Sequence, residues 1–163
     1  MDRYSEDRRE IILQIYRASL LLDKVGRELV SPYGLTSKQQ WFILRTLYDE
    51  GDQTLRDLTR NMLVSKQNMT GMIQRLRQGG HVATAEDATD KRVTRVSITD
   101  KGRAVYDMLL RSSRERNRDT FEHFEPAELQ ELLRLMNKLV GTLVDKHDIP
   151  LSKREEARDN HGH

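Results

Sequence analysis

The stretch between Gly79-Gly80 and Thr99 interrupts a chain whose apolar residues otherwise recur at helical spacing, and this interruption constrains the fold more than any other feature. Before it, Met69, Met72, Ile73 and Leu76 form an i, i+3, i+4, i+7 stripe that starts after the capping residue Ser65 and stops at the glycine pair. After the pair, the short runs His81 to Ala85 and Val93 to Ile98 are β-prone. The second alternates Thr94, Val96 and Ile98 against Val93, Arg95 and Ser97, and Glu86 to Arg92 between the runs is polar. A hairpin with a charged tip is predicted. Upstream, Thr54 caps a shorter helix bearing Leu55, Leu58 and Met62, and Leu63-Val64 leads directly into Ser65. Two short helices across a brief turn, followed by a two-stranded ribbon, describe a winged helix-turn-helix.

Longer helical patterns flank this unit. From Ser5 to Val30, Ile11, Ile12, Ile15, Leu20, Leu22, Val25 and Leu29 fall near helical spacing, and Ser31-Pro32-Tyr33-Gly34 ends the run. Thr36 and Ser37 offer caps, with Gln39 and Gln40 as capping-box partners, for a helix carrying Trp41 to Leu44 and Leu47 as far as Glu50-Gly51. Thr99 caps a helix with Val105, Met108 and Leu109 on one face and a charge-rich extension from Arg111 to Asp119. Pro126, at a first helical position, opens a last helix bearing Leu129, Leu132, Leu133, Met136, Leu139, Val140 and Leu143. The expected fold is mainly α with a small β-hairpin wing. It divides into an N-terminal dimerisation helix (1–34), a DNA-binding lobe (35–103), C-terminal dimerisation helices (104–147) and a polar, aperiodic tail (148–163) expected to be disordered. The stripes of the outer helices are too wide for one small domain to cover, so a second copy is expected to bury them; an intramolecular helical layer is the alternative.

Composition closes other routes. There is no cysteine, hence no disulfide framework, thiol nucleophile or Fe–S cluster. No run of about 18 apolar residues occurs and Met1 to Glu10 is charged, so a soluble, cytoplasmic protein without a membrane partner is expected. The net charge of +2 hides an asymmetry: Thr54 to Arg103 holds ten Lys/Arg against five Asp/Glu, a local +5 that leaves −3 for the rest.

The basic middle coincides with surfaces suited to a double helix. Opposite the apolar stripe of the capped helix lie Gln67, Gly71, Gln74 and Gln78, flanked by Asn68, Thr70 and Arg75. A solvated face ordinarily carries Glu and Lys, whereas amides edged by arginine match base edges in a major groove, where Gln or Asn bonds adenine bidentately. Gly71 costs roughly 1 kcal/mol in mid-helix; it is either a tolerated cost or makes room for close approach of backbone to a duplex. Ser65 and Lys66 stand where first-turn N–H groups meet phosphate, although Ser65 also has an ordinary capping role. At the hairpin, Asp90, Lys91, Arg92 and Arg95 bring cations to a narrow ribbon that can enter a minor groove, with Asp90 expected to orient Arg92 or Arg95. Glu86, Asp87 and Asp90 are expected at an exposed tip where nothing shifts their pKa.

Taken together, Leu35-Thr36 with Gln40-Trp41-Phe42-Ile43-Leu44, Thr54-Leu55-Arg56-Asp57-Leu58, Ser65-Lys66-Gln67-Asn68-Met69-Thr70, Asp90-Lys91-Arg92-Val93-Thr94-Arg95 and Ile98-Thr99-Asp100-Lys101-Gly102 resemble the MarR family of bacterial transcriptional regulators. The resemblance runs roughly from Arg8 to Val144, and its most specific part is the D-x-R-x-x-R wing followed by a T-x-x-G helix start. It implies a homodimer whose first and last helices interlock over a pseudo-palindromic operator, commonly a repressor released by a small aromatic or phenolic effector. It also implies an effector cleft between the dimerisation helices and the lobe, for which Tyr16, Arg17, Trp41 and Tyr48 are the candidates by helical position; as aromatics at helical spacing, they have a role in the core as the competing explanation. Gly71 stands where many members carry a bulky or basic residue.

No cofactor or metal is expected: His81, His123, His147, His161 and His163 include no close helical pair. No G-x-S-x-G, phosphate-binding loop, G-x-G-x-x-G or H-E-x-x-H is present, so an enzyme is not expected. The remaining alternatives are a winged-helix module for protein contacts without DNA binding, and a transcriptional activator that needs no ligand.

Overall fold

The computed structural model describes residues 3–147; the polar tail and His161 and His163 lie outside the described residues. Helix α1 (Arg3–Val30) leads through a 3-10 turn (Ser31–Tyr33) to α2 (Lys38–Glu50), strand β1 (Gln53–Thr54), α3 (Leu55–Asn61), α4 (Lys66–Gln78), β2 (Val82–Glu86), β3 (Thr94–Ile98), α5 (Asp100–Thr120) and α6 (Pro126–His147). Four of the helix starts have a local cause in a side-chain cap. Ser37 accepts from the Gln40 amide, Thr54 from Asp57, Ser65 from Asn68 and Thr99 from Gly102. The capping box at α2 is displaced by one residue: Gln40 Oε1 accepts from the amide of Thr36 at 2.6 Å, one residue before the cap.

The core sits in one lobe. Ile43, Leu44 and Leu47 of α2 pack with Leu58, Met69, Met72, Ile73, Leu76, Val96 and Leu109, all buried. At about 1.5–3 kcal/mol for each fully buried large aliphatic side chain, this cluster is the main source of stability in the lobe. On α5 the buried positions are Val105, Tyr106 and Leu109. Met108, expected inside, is exposed, because Tyr106 turns inward and its ring lies 4.7 Å from that of Tyr48.

The sheet has three strands in the order β1-β3-β2, all antiparallel, rather than the two strands expected. β2 and β3 pair from Val82↔Ile98 to Glu86↔Thr94, and β1 adds Gln53↔Val96 and Thr54↔Arg95 on the far edge. A two-residue strand leaves no period to read, which is why β1 is invisible in the sequence pattern. The T-x-x-G sequence acquires a steric meaning where the wing meets α5. Thr99 Oγ1 donates to the Gly80 carbonyl at 2.7 Å, and a Cβ on Gly102 would lie 2.1 Å from the carbonyl oxygen of His81. Only glycine lets α5 leave the sheet this closely.

The outer helices contrast with the lobe. α6 buries no residue, and Leu132, Leu133, Leu135, Val140 and Leu143 are exposed; on α1 the same holds for Ile11, Ile12, Leu20, Leu21 and Leu22. Among the described residues no helix is long and apolar enough to cross a membrane.

Candidate nucleic-acid interface

Helix α4 is oriented by its four buried residues, Met69, Met72, Ile73 and Leu76. The opposite face presents Gln67, Asn68, Thr70, Gln74, Arg75 and Gln78 to solvent, with Gly71 half-buried among them. Thr70 spends its hydroxyl on the Lys66 carbonyl at 2.8 Å, which leaves the amides and the Arg75 guanidinium as hydrogen-bonding groups of this face. At Gly71 a Cβ would meet only the Arg75 guanidinium, at 3.7 Å and thus in ordinary contact. Among the described residues no packing requires this glycine. Ser65 and Lys66 lie exposed at the start of the helix, where Ser65 Oγ accepts from the Asn68 amide at 3.2 Å.

The wing differs from expectation in which carboxylate organises it. Asp90 does not hold a guanidinium: its Oδ1 accepts the backbone N–H of Arg92 at 2.9 Å and so shapes the turn. The grip on Arg95 comes from Asp87, whose Oδ2 accepts from Arg95 Nε at 2.7 Å. Asp87 Oδ1 meanwhile accepts from the Thr89 hydroxyl at 2.6 Å, the Thr89 amide at 2.9 Å and the Asp90 amide at 3.3 Å. The Thr89 hydroxyl and amide, then Arg95 and the Asp90 amide, hold this carboxyl far below the usual carboxylate range. The tip therefore does shift a pKa. Spacing does not reveal Asp87, because it lies eight residues from Arg95 in sequence and is brought opposite only by the β2–β3 register, in which Ala85 faces Arg95. Lys91 and Arg92 remain exposed at the tip, so Lys91, Arg92 and Arg95 stand on the same ribbon.

The four effector candidates do not converge. Tyr16 and Arg17 are exposed on α1. Trp41 is half-buried and stacks on Phe42 at 5.7 Å, while Tyr48 lies between Tyr106 and the guanidinium of Arg103. An open apolar groove of about 850 Å³ does lie between α1, α2 and α6, lined by Ile15, Leu22, Phe42, Phe121, Leu132 and Met136 among others. None of the four candidates lines it. Among the described residues no three His, Asp or Glu side chains come together as a metal site.

Comparison with known proteins places this architecture. A family model described as the MarR family matches residues 33–93, from the turn before α2 to the wing. The transcriptional activatory protein BadR of Rhodopseudomonas palustris is 36% identical over 102 residues, a match covering 61% of this chain and 58% of that protein's length. The homoprotocatechuate degradative operon repressor of Escherichia coli is 26% identical over 115 residues, covering 71% of this chain and 77% of the repressor. Among solved structures, Bordetella bronchiseptica BpsR, whose DNA binding is described as regulated by 6-hydroxynicotinic acid, superposes with a TM-score of 0.72. It is 23% identical over 80% of this chain and 98% of its own. These relatives are regulators of transcription, not enzymes. With its capped α3–α4 pair, its ribbon wing and its T-x-x-G start to α5, the lobe of this chain is similar to MarR-family winged-helix proteins, whose family model it matches over residues 33–93.

Proposed function

We propose that the chain is a homodimeric, sequence-specific DNA-binding regulator of transcription whose hold on a pseudo-palindromic operator is loosened by a small aromatic ligand. The observation that carries this reading is the juxtaposition, on one lobe, of the amide face of α4 with the arginine-bearing wing, in the part of the chain that concentrates positive charge. Gln67, Asn68, Gln74 and Arg75 read bases in the major groove; Ser65, Lys66 and Thr70 border them, and Gly71 admits close approach. Lys91, Arg92 and Arg95 serve the minor groove and the phosphates beside it, with Asp90 shaping the turn that presents them.

The apolar faces of α1 and α6 supply the contact between two copies, which sets the paired α4 helices about 34 Å apart, one turn of DNA. The groove between α1, α2 and α6 is the place for an aromatic effector, and BpsR is a neighbour whose DNA binding responds to one. Repression is the simpler sign, because occupying a promoter needs no second protein contact; one relative named an activator and another named a repressor carry the two signs.

The test is protection of duplex upstream of the chain's own gene, with and without 6-hydroxynicotinic acid and simple phenols. A footprint with twofold symmetry is expected, with affinity that falls steeply with salt, by a slope of about −0.9 per neutralised phosphate. Absence of duplex binding in dilute buffer would leave a protein-contact module in its place.

A further inference from the structure

Among the described residues His81 is the only buried histidine; His123 and His147 are exposed. It stands at the root of the wing, and its backbone is bonded on both sides. Its N–H donates to the Leu76 carbonyl of α4 at 2.9 Å, and its carbonyl accepts at 3.1 Å from the amide of Thr99, the cap of α5. The ring is wedged between two glycines. A Cβ on Gly79, which ends α4, would lie 2.8 Å from Cδ2 and 2.9 Å from Nε2, and one on Gly34, which ends the 3-10 turn after α1, would lie 3.9 Å from Nε2. One imidazole thus occupies the point where the end of α4, the root of the wing, the start of α5 and the link from α1 meet. Its Nδ1 is buried without a hydrogen-bond partner, and Lys101 of α5 sets a positive charge against it. The other charged and titratable groups of these elements are engaged or exposed elsewhere. Arg75 lies beside Gly71, Arg77 Nη1 donates to Thr84 Oγ1 at 3.5 Å, Asp100 is exposed, and Arg103 stands over the Tyr48 ring. Glu86 and Arg95 belong to the tip end of the β2–β3 ladder, and the hydroxyls of Tyr33 and Ser112 are bonded to each other at 3.2 Å.

We propose that His81 is a pH-sensitive joint: a proton taken up by its imidazole drives the ring out of this wedge, and α4 and the wing lose the fixed relation to the outer helices that duplex binding needs. The inference rests on the reading of α4 and the wing as the elements that meet DNA. In the neutral ring one nitrogen carries no proton, and an unpartnered Nδ1 can be that nitrogen; the imidazolium carries an N–H on both. The second N–H finds no acceptor and the new charge faces Lys101, so the closed packing admits the neutral form alone. Relief comes by parting Gly79 from Gly34, which separates the end of α4 from the link to α1. The sign of the effect is diagnostic. Acidification ordinarily strengthens attachment to a polyanion, because exposed histidines such as His123 and His147 gain charge; a joint that opens on protonation weakens it. Proton linkage bounds the loss at about tenfold per pH unit for each subunit.

The experiment is fluorescence anisotropy of a labelled mixed-sequence duplex of about 30 base pairs, long enough for two half-sites one turn apart. It is titrated with the full chain at constant ionic strength between about pH 7.5 and about pH 5.5. Compared are the wild type, His81→Leu, His81→Gln and Lys101→Gln, with helical circular dichroism recorded at each pH. Wild-type binding is expected to weaken on the order of tenfold across this range with the helical signal retained, while the two replacements of His81 hold or gain affinity. Lys101→Gln keeps the imidazole and removes the opposing charge, so its loss is expected to be smaller than that of the wild type; it decides the matter where neither replacement of His81 folds. Wild-type affinity that stays flat or rises as the pH falls overturns the inference and leaves the proposed function standing. A loss of wild-type size in both His81 variants, or in Lys101→Gln, does the same. A loss that coincides with disappearance of the helical signal also overturns it, because global unfolding is then the cause. A wild type that binds no duplex at any pH removes both readings.

Discussion

His81 occupies the junction of α4, the wing and α5, and its chemistry is set by what surrounds it. The side chain is buried, its Nδ1 has no hydrogen-bond partner, and a Cβ on Gly79 would fall 2.8 Å from its ring. Burial, reinforced by the positive charge of Lys101, lowers its pKa below the ordinary value near 6.5. Above that value both folded and unfolded chains carry a neutral imidazole and stability is indifferent to it. Below it, the unfolded chain takes up a proton that the folded chain refuses, so stability falls as pH drops toward the folded value. Melting temperature is therefore expected to decline between about pH 7 and pH 5, and to decline less in His81→Leu; parallel profiles for the two proteins would refute the assignment. One backbone carbonyl away, Gly102→Ala places a methyl group on the His81 oxygen. We expect a loss of about 1–3 kcal/mol, read from urea midpoints, and an unchanged midpoint would show that α5 can lift off the sheet.

Helix α4 is where composition and geometry meet most directly. Its inward stripe is readable from spacing alone, because four apolar residues at i, i+3, i+4 and i+7 admit only one buried side. Gly71 faces away from that side, with only the Arg75 side chain near its missing Cβ. Gly71→Ala is accordingly expected to raise the stability of the chain by up to about 1 kcal/mol while weakening duplex binding, two shifts of opposite sign in chemical denaturation and in anisotropy. Equal or tighter duplex binding would reduce the glycine to a tolerated cost. In the wing, the hairpin itself was legible, but its internal wiring was not. Asp90 has the spacing to hold Arg92 or Arg95, yet the turn consumes it on a backbone amide, and Asp87, only 11% exposed, takes Arg95 instead.

At the scale of the whole molecule, the chain is divided between a lobe with a buried, mainly apolar core and two long helices that leave many apolar side chains exposed. Leu133 and Leu143 of α6, with Ile12 and Leu20 of α1, are among the side chains left uncovered. Such area is large for a folded monomer and fits a contact between copies. Leu133→Glu with Leu143→Glu is expected to convert a dimer into monomers by sedimentation velocity and, because two half-sites then bind independently, to reduce operator affinity by more than tenfold. A double variant that still sediments as a dimer would move the interface elsewhere.

Local patterns in the amino-acid order were sufficient for the helices, their caps, the inward stripe of α4 and the existence of the wing, since each depends on neighbours within a turn or a hairpin. The third strand and the turn of Tyr106 into the core depended on contacts between segments far apart in the chain, and the exchange of Asp90 for Asp87 on the register across the hairpin. Those contacts were settled by tertiary packing, because a two-residue strand has no period and a carboxylate finds its partner through register, not through spacing.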